Sequence, residues 1–521
     1  MRLPVRPALL ALTLVLALPP ATIAQEPVDA AAIQRIREEA FERSQVMEIA
    51  RQLTDVYGPR LTGSPMARAG AEWALSQLRS WGISQGRLET WGPFGLGWTN
   101  ERMVAHVVSP TPFPVIAYAT AWTPGTRGPV TGEVVLVDAD SVADLARYQG
   151  TLRGKFVMTA TPRSLSPGWE PTARRWTDAQ LREMQDAPAP APPRPGAGPG
   201  GPGGPGGNFA AAQAFNRERT AFFQREGVAA LLSPSGTRGD MGTVAVQGAG
   251  GSRDPAAPAP FPIAVLSLEH YGRIVRLVER GTPVRMELDI RNTFHDADLN
   301  SFNLVAEIPG TDKAGEVVML GAHFDTWHGA TGATDNSSGS AVMLEAMRIL
   351  KALDLPMRRT VRLALWTGEE QGLLGARAYV REHFANRETG ERKPAHGTVS
   401  AYYNMDNGTG AFRGIYLQGN AAVRPVFEAW IVPFRDKGVT TTTLRNTGST
   451  DHVAFDEVGI PGFQFIQDPV EYSTRSHHSS MDSFERLQAD DLKLNAAVVA
   501  AFVYLTANRA ELLPRKAPLT P

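Results

Sequence analysis

From residue 299 onward the chain alternates short, nearly unbroken apolar runs with longer amphipathic ones. Few architectures accept that pattern. Strand-length runs fall at residues 303–307, 317–322, 360–366, 399–405, 414–417 and 462–466, and helical patterns fill 338–353, 370–383, 424–437 and 489–508. Strands apolar on both faces must be covered on both faces, and helices returning between them leave neighbouring strands parallel. The expected fold is an α/β domain with a largely parallel sheet. In such sheets ligands gather outside the carboxyl ends of the strands.

Titratable residues sit where this rule would put a site. His323 closes the run 317–322, and Asp325 follows two residues later. Asp335 lies in a Gly-, Asn- and Ser-rich loop that leads into the next helical pattern. Glu369 and Glu370 follow the next strand, Asp406 the one after, and His478 a loop after a fourth. Each residue has an ordinary reading on its own. A histidine after a strand is usually a hydrogen-bonded structural group, Asp335 can cap the following helix, and Glu369-Glu370 at a helix start complements its dipole. Asp406 can be a turn residue and His477-His478 an exposed polar loop. Recurrence at successive strand ends favours one shared site. The chain has no cysteine, so any metal must take imidazole and carboxylate ligands, which suit zinc and, less well, manganese or cobalt. A pair of metals needs a bridging carboxylate, the natural role of Asp335. His323 and Asp406 then serve one ion, Glu370 and His478 the other. Glu369, next to a ligand but pointing elsewhere, is placed as general base. Asp325 shares a side of the extended backbone with His323 and is expected to accept a hydrogen bond from its imidazole N–H. No organic cofactor is called for.

These residues carry a resemblance. His323-Phe-Asp325, Gly332-Ala-Thr-Asp335-Asn-Ser-Ser-Gly339, Trp366-Thr-Gly-Glu369-Glu370-Gln-Gly372, Asn404-Met-Asp406 and His478-Ser-Ser-Met-Asp482 resemble the M28 family of zinc metallopeptidases in order, spacing and residue type. Ser449-Thr-Asp451-His452 is similar to a further family element, and two segments lean towards the carboxypeptidase Q branch. The resemblance implies an α/β/α sandwich of the zinc aminopeptidase kind, two zinc ions per chain, and removal of terminal residues from peptide substrates. It also implies a cis peptide at Asp335–Asn336, and its spacing to Asp482 selects His478 over His477. An aminopeptidase is the favoured activity, with a carboxypeptidase or dipeptidase of the carboxypeptidase Q type as the alternative. A carboxypeptidase needs a cation for the substrate carboxylate, for which Arg445 and Arg475 are candidates. Two other readings are a receptor-like relative without metals and a single-zinc acyltransferase of the glutaminyl cyclase type. The intact ligand set argues against the former. The latter needs fewer ligands and would ordinarily lack the large insert described next. His328, in the same loop as His323, is expected to be peripheral.

The rest of the chain frames this domain. At 521 residues it is too long for one core. Residues 1–24 read as an export signal, with Arg2 and Arg6 ahead of an apolar stretch at 8–18 and small residues before Gln25. The mature protein is then expected to be secreted or periplasmic, with no membrane span. Residues 25–111 are assigned to the N-terminal part of the catalytic domain and 293–512 to the remainder. Between them, 112–292 reads as a β-rich insert, similar in position and style to a protease-associated domain. Within it, the Pro/Gly tract at 187–208 cannot bury a core and is expected to be disordered. Formal net charge is −1, which gives no support for nucleic-acid binding. A homodimer is allowed.

Overall fold

The computed structural model describes residues 26–165, 168–190, 206–236 and 240–516. The export signal lies outside these, as does the stretch 191–205 of the Pro/Gly tract.

The apolar runs form one eight-stranded sheet, and its four central strands lie parallel in the order Arg359–Trp366, Lys313–His323, Val399–Asn404, Gly462–Gln467. Antiparallel pairings join the flanks: Ser301–Ile308 and then Gln85–Trp91 on one side, Phe412–Tyr416 on the other. Along the strand Lys313–His323 successive side chains point to opposite faces. Val318, Leu320 and Ala322 enter one core with the helices Ala30–Glu42, Ser338–Ala352 and Ala489–Asn508. Val317 and Met319 enter a second core with the helices Leu374–His383 and His452–Asp456. This alternation buries both faces and makes the domain an α/β/α sandwich on a mixed sheet.

The register matters more for the site than the layers do. His323 lies opposite Trp366, and Gly321 lies opposite Asn404. Glu369, Glu370 and Asp406 therefore leave their strands at the level of His323 and bend over the same edge.

A second eight-stranded sheet takes in Gly97–Ser109 and Arg285–His295 as a long antiparallel pair, then Val130–Leu136, Phe156–Met158, Ala230–Pro234 and Ile263–Leu266 in parallel. The strand Gly97–Ser109, expected with the N-terminal catalytic part, belongs to this sheet. Helices are also more prominent here than a β-rich reading implied: Leu268–Glu279 buries Tyr271, Ile274 and Val275 against the sheet. The helix Gly206–Glu226 begins inside the stretch expected to be disordered.

Two helix boundaries differ from expectation. The helix expected from Glu370 starts only at Leu374, after Leu373 at φ 60°. The helical pattern 424–437 divides into Arg424–Trp430 and a tighter turn, Val432–Lys437. No helix among the described residues is long and apolar enough to cross a membrane.

Candidate metal centre

The strand edge gathers the predicted ligands around Asp335. Its Oδ1 lies 3.1 Å from His323 Nε2, and its Oδ2 lies 3.3 Å from His478 Nε2. Asp406 Oδ1 is 3.4 Å from His323 Nε2, and Glu370 Oε2 is 2.8 Å from His478 Nε2. The two oxygens of one carboxylate thus face two imidazoles, each of which has a further carboxylate of its own.

Local structure explains how Asp335 is aimed. Asp335 and Asn336 have non-helical dihedrals ahead of the helix Ser338–Ala352, and the bond between them is cis. The carboxylate of Asp335 does not cap that helix; Asn336 does, its Oδ1 accepting from Gly339 N at 2.9 Å. Asp482 fixes the loop from below by accepting from Thr334 N at 2.6 Å and Asp335 N at 3.1 Å. Because Glu370 precedes the helix start by a full turn, the dipole reading of the Glu-Glu pair fails too.

Asp325 departs from its expected contact. His323 Nδ1 is 2.9 Å from the backbone oxygen of Asp325 but 3.7 Å from its carboxylate. The carbonyl, not the side chain, is the close acceptor that orients the ring. The carboxylate accepts instead from Thr62 Oγ1 at 2.8 Å and approaches the amides of Glu369 and Glu370 at 3.3 and 3.4 Å. It shapes the Glu-Glu turn. Thr62 also accepts from Gly368 N at 2.8 Å.

The electrostatics are those of a cluster short of positive charge. Burial would lower the pKa of His323, yet Asp406, Glu369 and their neighbours hold it well above the usual imidazole range. His478 is likewise lowered by burial and raised by Glu370, reaching about 9. Burial and then Asp335 push Glu370 up to about 7, and burial lifts Glu369 well above the usual carboxyl range. Asp335 Oδ2, Glu370 Oε1 and Asp406 Oδ1 are buried without a hydrogen-bond partner. Carboxylate oxygens buried without donors are costly unless a cation serves them. The residues present fit a metal, and imidazole with carboxylate suits zinc. Two ligand groups share Asp335: His323 with Asp406, and His477 with His478.

His477 therefore stands closer to the site than its spacing suggested. Its Nε2 is 3.8 Å from Asp335 Oδ2, and its ring stacks on His478 at 3.8 Å between centroids. His328 is peripheral, with Nε2 donating to Ala119 O at 2.7 Å. Arg445 and Arg475, the candidates for a substrate carboxylate, are in ion pairs with Glu183 and Glu471.

Some supporting residues had no sequence signal as site residues. The segment at 57–64 reads as Gly/Pro punctuation between helices, but it delivers Thr62 and the fully buried Arg60. Arg60 donates from Nε to Phe324 O and from Nη2 to Ser337 Oγ, both at 2.8 Å. Gln247, from the second-sheet region, lies 2.9 Å from His478 Nδ1. An Arg between Gly58-Pro59 and Leu61-Thr62 could have been flagged as a buried anchor; nothing marks Gln247.

Comparisons with known proteins place part of this chain beside peptidases. Residues 303–503 match peptidase family M28. The chain is 32% identical to carboxypeptidase Q from Pongo abelii over 256 residues, 49% of this chain and 52% of that protein. It is 32% identical to aminopeptidase YwaD from Bacillus subtilis (strain 168) over 202 residues, 38% of this chain and 42% of that protein. The chain thus spans about half the length of the curated relatives it matches. Among solved structures, a peptidase M28 precursor from Shewanella amazonensis SB2B aligns with TM-score 0.65 at 24% identity, over 94% of this chain and 98% of that one. A zinc aminopeptidase from Bacillus subtilis aligns with TM-score 0.54 at 18% identity, over 91% and 98%.

Proposed function

We propose that this chain, whose residues 303–503 match peptidase family M28, is an exported exopeptidase that holds two zinc ions and removes terminal residues from peptides. The observation that carries the reading is Asp335, whose two carboxylate oxygens face different imidazoles at 3.1 and 3.3 Å. His323 and Asp406 would hold one ion, Glu370 and His478 the other, with Asp335 between them and His477 stacked alongside.

Zinc, when bound, supplies Lewis-acid polarisation of the scissile carbonyl and an acidified water. The chain's own residues do the rest. Glu369 takes the proton from the attacking water and returns it to the leaving amine, and a buried carboxyl with a raised pKa suits that two-way task. Asp325 holds the Glu369–Glu370 turn through the two amides and is itself held by Thr62, so the base is positioned rather than free to swing. The backbone oxygen of Asp325 accepts from His323 Nδ1–H, which leaves Nε2 as the ligand atom.

The catalytic domain takes in 25–111, apart from the strand Gly97–Ser109 that pairs in the second sheet, and 293–512, with a protease-associated-type insert at 112–292, and the leader 1–24 sends the protein to the periplasm or beyond. The favoured activity is that of an aminopeptidase. A carboxypeptidase or dipeptidase reading has one specific observation behind it: Arg253, which lines a cavity together with Glu370, has no acidic partner among the described residues. The test is zinc content together with hydrolysis. Two equivalents per chain, and peptide cleavage abolished by a chelator and restored by zinc, are expected. A folded protein that binds no zinc would return the chain to the receptor-like reading.

A further inference from the structure

We propose that the cavity between Trp122 and Trp327 receives the C-terminal residue of short peptides, with Arg253 binding the terminal carboxylate. This rests on the exopeptidase reading and adds to it the substrate end that must be free and the length that fits.

The cavity measures about 280 Å³ and is lined by Trp122, Gln247, Arg253, Trp327, Glu370 and Gln371 among others. Glu370 also lines the narrow space around Asp335 and His478, so the two share a wall. A ladder of ring contacts links the far end to the metal ligands. The Arg253 guanidinium is 5.8 Å from the Trp122 ring, Trp122 is 5.9 Å from Trp327, and Trp327 is 6.2 Å from His478. At roughly 3.3–3.6 Å per extended residue, a peptide with its scissile bond at the ligands and its carboxylate at Arg253 carries only a few residues past the cut. The volume lies at the low end for ligand pockets, which favours one or two.

Arg253 is available for an anion. Among the described residues no carboxylate pairs with it, and burial alone lowers its pKa. Nη1 donates to Phe94 O at 3.3 Å, and the guanidinium lies over the Phe94 ring at 4.4 Å. The adjacent carboxylate, Asp254, is engaged by Ala256 N at 2.8 Å. A guanidinium has five donors in a planar fork that matches a carboxylate, so most of this one's capacity is unspent. The side-chain amide of Gln371, on the same cavity, is also without a partner.

The loop that presents Arg253 is held firmly. Arg253 O accepts from Leu96 N at 2.8 Å, and Ser252 N donates to Trp122 O at 3.1 Å. A Cβ at Gly251 would sit 1.9 Å from Ala121 O, so only glycine lets the loop lie this close. Trp122 itself is kept at φ 57°, an uncommon conformation for so bulky a residue.

The experiment uses the zinc-loaded full-length protein and matched substrates: a dipeptide, its C-terminal amide, and a pentapeptide with the same first two residues. The parent is expected to favour the free dipeptide over the amide by about tenfold to a hundredfold in kcat/KM, the range for one charge-assisted contact. Arg253→Met should erase most of that preference, chiefly through KM, and Arg253→Lys should restore part of it. The acid-to-amide ratio is taken within one preparation, so partial misfolding of a variant cancels. The pentapeptide should be the poorest of the free acids. Equal cleavage of acid and amide by the parent, or an unchanged ratio in Arg253→Met, overturns the carboxylate site and leaves the exopeptidase standing. Pentapeptide cleavage as fast as the dipeptide overturns the length limit. If zinc is bound and no peptide is cut, the exopeptidase reading falls and this inference falls with it.

Discussion

The two halves of the proposed metal cradle are built differently. His323 and Asp406 hang from adjacent parallel strands in register, are 1% and 8% exposed, and lie over a core packed from both faces. Glu370 and His478 come from a turn and a loop. His478 sits at φ 54° and is 21% exposed at its side chain. Its backbone oxygen accepts from Val246 N at 2.9 Å, and Ser480 N donates to Val244 O at 2.8 Å. The inner half is a product of the catalytic sheet alone, whereas the outer half is completed by a segment packed with the second sheet. Asp335 ties the halves together. The inner site should therefore be rigid and stability-linked, and the outer one adjustable.

The largest effect should come from the proposed general base, which belongs to neither half. Glu369→Gln removes the proton shuttle and touches no proposed ligand, so we expect kcat to fall by about 10²–10⁴-fold. Zinc content, measured by mass spectrometry of the metal, should stay at its parent value. Near-normal turnover would dismiss Glu369 as the base. Asp335→Ala should instead lose at least one zinc, and full occupancy in that variant would break the link between the halves.

The contrast itself is tested by His323→Ala against His478→Ala, each unfolded by urea after chelation. Removing His323 leaves Asp335 and Asp406 facing one another in the core, a loss of about 3–5 kcal/mol if it behaves like other broken buried pairs. Removing His478, partly exposed, should cost about 1–2 kcal/mol. Equal losses would mean that the outer half is as much part of the core as the inner.

Much of the inner half was legible because it follows from periodicity. Continuous apolar strands predict a buried parallel sheet, and a parallel sheet predicts where His323, Glu369 and Asp406 emerge. The outer half was legible only as a residue list. Glu370 was expected to open a helix, but Leu373 at φ 60° delays the helix to Leu374 and leaves Glu370 in a bend beside His478. Asp325 was assigned by a rule about alternate residues in extended chain, yet the chain leaves the strand at His323 and the backbone oxygen comes nearer the ring than the carboxylate. Thr62, Arg60 and Gln247 act across 200 or more positions of sequence. Local pattern holds no record of such contacts.

A pH experiment sharpens the comparison at the point where the site loop meets the second sheet. His328 is buried against Trp98, at 4.8 Å between rings, and burial lowers its pKa to about 4. Its folded value lies below the ordinary 6.5, so between these values the unfolded chain binds the proton and the folded one does not. Stability is complete above pH 6.5 and declines as the pH falls towards 4, by up to about 3 kcal/mol from this group. In His328→Gln, which keeps a donor for Ala119 O, the decline measured on chelated protein should be shallower by that amount. Identical slopes would assign the acid sensitivity to the ligand cluster instead.

The smallest effect isolates the outer half. If His478 Nε2 faces the metal, Nδ1 carries the proton and needs an acceptor, and the Gln247 amide at 2.9 Å supplies its oxygen once turned the right way, an orientation set by the network. Losing such a partner typically weakens metal binding by about 10–100-fold. Gln247→Leu should do so for one zinc and leave the other unchanged, read as two separated steps in a competition with a chromogenic chelator. Gln247→Glu places a carboxylate on the same N–H, raises the basicity of the ring, and should hold the outer zinc at least as tightly as the parent. If Gln247→Leu weakened both ions alike, the second-sheet region would be supporting the cradle as a whole, and the division into a core-built half and a borrowed half would be wrong.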